Sequence, residues 1–177
     1  MKFWFEQTES DQWFKKDPAF DAEIVARFRP LWEQARAGAH ADWADDARRC
    51  LALIIVCDQF PRNMFRGDPQ AFATDPRALA LAHHALDRGY DKTYARCELL
   101  FAYLPLEHSE NVEDQRRCVA LHTALADHSA KADWIDFAVR HMRIVERFGR
   151  FPHRNAVLGR ASTAEEIEFL TQQGSSF

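Results

Sequence analysis

Apolar residues recur along this chain at the three- and four-residue spacing of helix faces, and no stretch sustains the two-residue alternation of a strand. Seven main helices follow from that pattern and its punctuation. The first is predicted from Pro18 to Ala37, with Phe20, Ile24, Phe28, Leu31 and Ala35 as its apolar stripe and Pro30 as a kink. A second, from Asp46 to Asp58, is apolar on every side after Arg49 and belongs at the centre of a bundle. The third runs from Pro76 to Arg88 and the fourth from Tyr94 to Leu104, stopped by Pro105. The fifth covers about Asn111 to His128. The sixth, Lys131 to Phe148, is closed by Gly149 and faces inward through Trp134, Ala138, His141, Val145 and Phe148. The last spans Thr163 to Gln172, before a tail that should fray.

Start signals support these boundaries. Asp17-Pro18 and Asp75-Pro76 each read as an N-cap followed by proline at the first helical position. Ser162-Thr163-Ala164-Glu165 reads as a capping box. Two long loops remain, Gln59 to Thr74 and Phe151 to Ala161. The fold class is therefore all-α, a helical bundle or α-solenoid, and no linker or low-complexity stretch divides residues 1–177 into more than a single domain.

Composition sharpens this little. At 177 residues, 47% hydrophobic and 28% charged, the chain has an ordinary globular make-up. Its formal charge of −4 disfavours nucleic acid as a partner through a broad basic face. The longest purely apolar run, Leu51 to Cys57, is too short for a bilayer span, and no signal-peptide core follows the first residues, so a cytoplasmic protein is expected. Cys50, Cys57, Cys97 and Cys118 form no Cys-x-x-Cys pair and read as buried reduced thiols.

Chemistry concentrates in three places. Gln59-Phe60-Pro61-Arg62-Asn63 after the second helix is echoed by Arg150-Phe151-Pro152-His153-Arg154-Asn155 after the sixth. Both read as helix exits in which Phe enters the core, Pro stops the helix, and Arg and Asn bond the last carbonyls. Asp58 stands at the C-terminal end of an apolar helix, where the helix dipole is already negative, so a nearby arginine or ligand cation is required. Glu107-His108-Ser109-Glu110 is the third cluster; Ser109 or Asn111 caps the helix that follows. His108, Glu110, His141 and His153 carry no metal-ligand spacing, so no metal is assigned; with no phosphate-cradling or dinucleotide-binding glycine motif either, no cofactor is expected.

These residues also carry a resemblance. Phe3-Trp4-Phe5, Trp13-Phe14, the run Leu51 to Gly67, Ala71 to Asp75, Tyr103 to Glu110, His141, Arg147 to Asn155 and Leu158 to Thr163 resemble an uncharacterised bacterial family, domain of unknown function nine-two-four. Cys57 and Met64 stand where aliphatic residues are expected. The resemblance implies a TPR-like all-helical fold and brings no activity with it.

Three functions are weighed. The leading one is a pocket for a small anionic ligand, bound or hydrolysed. Its binding residues would be Arg62, Asn63, Arg66, Arg147, Arg150, His153, Arg154 and Asn155, and its acid–base groups Asp58, Glu107 and His108. A protein-interaction scaffold is the rival, on fold analogy. In the third, the polar clusters are buried networks that fix helix register.

Overall fold

The computed structural model describes residues 1–177 and is all-helical, as the periodicity predicted. Its seven α-helices are α1 (Pro18–Arg36), α2 (Ala47–Met64), α3 (Asp75–Asp87), α4 (Arg96–Glu107), α5 (Val112–Ala124), α6 (Lys131–Phe148) and α7 (Ala164–Leu170), joined by short helical turns. The chain divides into two compact units, Met1–Ala102 and Tyr103–Phe177, with the division inside α4. No helix is long and apolar enough to cross a membrane.

In the first unit α2 packs against both α1 and α3. Asp17 starts α1 by accepting from the Ala19 N–H at 2.9 Å, with Pro18 at the first helical position. The helix continues through Pro30, and its buried face is Phe20, Ile24, Trp32 and Ala35. Trp32 takes the innermost place that the stripe had given to Leu31, because its indole N–H reaches the Thr74 hydroxyl at 3.0 Å. An aromatic cluster forms around Trp4. Trp4 lies edge-on to Phe60 and Phe101 at 5.6 and 5.5 Å, and Trp13 donates to the Trp4 carbonyl at 2.9 Å. Such buried rings contribute about 1.5–3 kcal/mol each through area alone, and edge-to-face pairing adds to that.

Helix α2 runs six residues beyond the predicted stop at Asp58, so Phe60 and Pro61 lie inside it rather than in a loop. Proline 61 has no N–H for the carbonyl of Cys57, four residues back. The Thr74 hydroxyl fills that role, donating to the Cys57 carbonyl at 2.6 Å. A side chain from outside the helix thus removes the penalty that should have ended it. Helix α4 likewise passes its predicted terminator: Pro105 is internal, and the ladder resumes with His108 N–H to Leu104 O at 2.9 Å.

In the second unit α5 packs on α6. Asn111 caps α5 through the Glu113 N–H at 2.8 Å. The helix ends at Ala124, short of the predicted His128, because Leu125 turns extended. Helix α6 has its predicted limits, and Gly149 closes it at φ 68°, a left-handed conformation suited to glycine. Ile144, Val145 and Phe151 form a core with Val112, Phe148 and Phe169 packed on it. The capping box of α7 sits one residue later than predicted, on Thr163 and Glu166. Ser162 is engaged by Asn155 instead, and Glu165 by Arg147.

Candidate functional site

Within the first unit the predicted polar residues meet acids. Asp58 is 1% exposed; the Gln59 amide donates to its carboxylate, and Arg62 lies 3.6 Å away. Arg62 also grips Asp75 with both terminal nitrogens, at 2.9 and 3.1 Å, and donates to the Asp58 carbonyl at 2.7 Å. Burial pulls the Arg62 guanidinium down, but Asp58 and Asp75 outweigh it, so the group is held above its ordinary value and stays charged. Asp75 therefore serves an arginine rather than capping α3, where no side-chain cap bond forms. Asn63 and Arg66 converge on Asp21, at 2.8 Å from the amide and 2.6 and 2.8 Å from the guanidinium.

The second unit has two comparable locks. Arg150 holds Glu166 with two bonds of 2.6 and 2.8 Å; Asn155 and the Thr163 N–H complete its shell. The Arg150 hydrogen bond and the Thr163 backbone bring this carboxyl down to about 2. Glu110 takes a fork from Arg160, at 2.7 and 2.9 Å, and the Phe151 N–H at 2.8 Å. Burial pushes Glu110 up, yet Arg160, that N–H and Arg154 prevail, and the carboxyl lies below its ordinary value. Arg147 pairs with Glu165 on the surface.

The second unit also holds a different kind of centre. Glu107, at the end of α4, is 4% exposed and His141, on α6, is 5% exposed. The His141 Nδ1 is 2.9 Å from the Phe137 carbonyl and 3.1 Å from a Glu107 oxygen. A carbonyl only accepts, so Nδ1 carries the proton and is shared between both oxygens. Burial chiefly drives His141 down to about 3, so this is a neutral histidine hydrogen-bonded to a carboxylate rather than an ion pair. The Phe151 ring lies edge-on to it at 5.6 Å, and Phe177 stacks on its face at 3.5 Å. His108 is 6.4 Å from His141 between ring centres. Arg154 donates to the His108 carbonyl at 3.0 Å and lies over Phe151. His153 is brought down to about 4, first by burial and then by the Arg154 charge. Behind Glu107, Cys118 and His122 extend the cluster into the interior, both fully buried. A surface depression of about 380 Å³ beside Glu110, Arg116 and Glu146 draws on none of the predicted binding or acid–base residues.

The family model for bacterial proteins of unknown function, DUF924, matches residues 1–174. The chain belongs to this family. A solved protein of unknown function from Agrobacterium tumefaciens is 40% identical, with 96% of this chain and 93% of that one covered at a TM-score of 0.88. No curated protein matches.

For this DUF924 chain, the predicted residues thus fall into separate groups. Asp58 and Arg62 form one, and Asn63 and Arg66 share another acid. Arg150 and Asn155 share Glu166, while Glu107, His108, His153 and Arg154 gather near His141. The echoed Phe-Pro motifs differ locally, since Phe60-Pro61 is helical and Phe151-Pro152 opens a short turn after Gly149. Asp21, Asp75, Glu110, Arg160 and Glu166 were missed as partners; nothing local marks an acid as the mate of a distant arginine. Cys118 and His122 were also missed, although their spacing of four on one helix was readable as a shared face.

Proposed function

We propose that this protein binds a small anionic ligand, a carboxylate or phosphate, beside Glu107, His108, His141, His153 and Arg154. The observation that carries the reading is the pair of neutral, largely buried histidines, His141 and His153, held near the Arg154 charge. An anion there would meet the Arg154 charge and imidazoles able to take up a proton as it arrives. His108 is then the acid–base group for a hydrolytic step. The remaining predicted arginines support a structural role. Arg62, Arg66, Arg147 and Arg150 each carry a carboxylate partner away from this histidine group. Isothermal titration with inorganic phosphate and with small mono- and dicarboxylates, in buffers of different ionisation enthalpy, tests this. Binding with net proton uptake, weakened by Arg154→Gln and by His153→Gln, is expected. Absence of binding, or binding unchanged in both variants, would overturn it.

A further inference from the structure

We propose that Glu107, at the end of α4, and Cys118 and His122, on one face of α5, form a binding site for a single zinc(II) ion. Their ligand atoms already lie within 4.8 Å of one another, and all three residues are buried. The Cys118 Sγ is 3.9 Å from a Glu107 oxygen, and four-residue spacing sets His122 one turn further along the same face.

His122 supplies an independent reason to place an ion here. It is fully buried, and neither ring nitrogen has a hydrogen-bond partner. Buried imidazoles are satisfied as a rule, and an orphan pair of ring nitrogens is costly. Tyr103 and Trp134 flank the ring in T-shaped contacts at 5.4 and 5.8 Å, and the Glu107 and Cys118 ligand atoms lie within 4.8 Å without a hydrogen bond to either nitrogen. A metal bond from one nitrogen would meet part of that need.

The donor set and its charge agree with zinc. One sulfur, one nitrogen and one oxygen suit a borderline-soft ion, and three protein ligands leave the fourth position open. A thiolate and a carboxylate balance the two positive charges with imidazole neutral, so the occupied site carries no net charge into the interior. Bonds of about 2.0–2.3 Å need donors about 3–4 Å apart, so the ligand atoms, now within 4.8 Å of one another, would draw together on loading. Loading releases the Cys118 proton to solvent. Glu107 is oriented for the role, because the His141 Nδ1–H binds one of its oxygens and Cys118 faces the other. His141 would thus be a positioning residue for the ligand carboxylate.

The test uses the full chain without a polyhistidine tag, stripped by chelator and free of added phosphate or carboxylate, so its result is separate from that of the anion site. Zinc or cobalt(II) is then titrated in. The expected result is one ion per chain, with a thiolate-to-cobalt charge-transfer band and the strong visible absorption of tetrahedral cobalt. Cys118→Ser should remove the charge-transfer band. His122→Gln should weaken zinc beyond the about 10–100-fold loss typical of an outer-shell change, and His141→Phe should fall within that range. No stoichiometric binding, a cobalt spectrum without a thiolate band, or unchanged affinity in His122→Gln would each overturn the proposal. Should a variant fail to fold by circular dichroism, the cobalt spectrum of the unaltered chain decides.

Discussion

The acids of the first unit and the histidines of the second are buried to a similar degree but are satisfied in opposite ways. Arg62 stands between Asp58 and Asp75, and Arg66 pairs with Asp21 while the neutral Asn63 amide adds a hydrogen bond, so these acids are met by opposite charge. His122, His141 and His153 are instead brought down to about 3–4, chiefly by burial, and are kept neutral by their surroundings. A closed ion pair has nothing left to give a ligand. A neutral buried imidazole still has proton and electron-pair capacity, which is why the candidate chemistry lies in residues 103–177.

The sharpest break in that comparison is Arg62→Ala. Asp58 would stay buried after losing its cation, and Asp75 would lose both of its bonds to the fork. Removing one partner of a buried pair costs about 3–5 kcal/mol, and the partial exposure of Asp75 places the expected loss near the lower end. Urea denaturation reads it as a lower midpoint at constant slope. Adding Asp58→Asn should return part of the loss. A change below about 1 kcal/mol, the range of exposed pairs, would mean that the cluster is not a lock and would reopen it as a ligand site.

Arg62 also shows what the sequence could and could not reveal. The need for a cation at Asp58 was legible from its place at the end of an apolar helix, and Arg62, at i+4, meets it. Asp75 was not legible, because contact across thirteen residues depends on how α2 and α3 pack. Helix α6 was readable to the residue, since a capping glycine and one strong apolar face mark it locally. Pro105 misled because the ladder resumes after it, with His108 N–H on the Leu104 carbonyl, and Pro61 misled for a reason outside its own helix. A proline stops a helix by what it takes away, and a distant hydroxyl such as that of Thr74 can replace it. His122 lay in plain view as part of Cys-x-x-x-His, but only burial without a partner gives that spacing meaning.

Acid separates the two modes of satisfaction inside the second unit. His153 has a folded value of about 4, below the ordinary 6.5, so the unfolded chain binds the proton first. Its contribution is fully present above pH about 6.5 and is lost as pH falls towards 4. Glu166 has a folded value of about 2 against an ordinary 4.5, so its contribution is held above about 4.5 and lost as pH falls through 2. Melting temperature against pH should therefore decline in two stages. His122 and His141 share the upper stage, so His153→Gln is expected to make it shallower by one proton's part, and Arg150→Gln to flatten the lower. If His153→Gln left the upper stage intact, the imidazole would not be the group held neutral by burial.

The smallest effect belongs to Arg147, and it bears on where the ligand site ends. Arg147 contacts Glu165 at 2.8 Å, but both side chains are about half exposed, at 49% and 59%. Water and salt already screen both charges, so the pair should contribute only about 0–1 kcal/mol. Its guanidinium also lies over Phe148 and Phe169, at 4.7 and 5.7 Å, and that packing would account for part of any loss. Arg147→Ala should leave the urea midpoint nearly unchanged, with less difference still at high salt. It should also leave phosphate or carboxylate affinity at the value of the unaltered chain while Arg154→Gln lowers it. Equal losses from the two substitutions would extend the anion site along α6 to the surface, and the contrast between closed pairs and open histidines would no longer locate it.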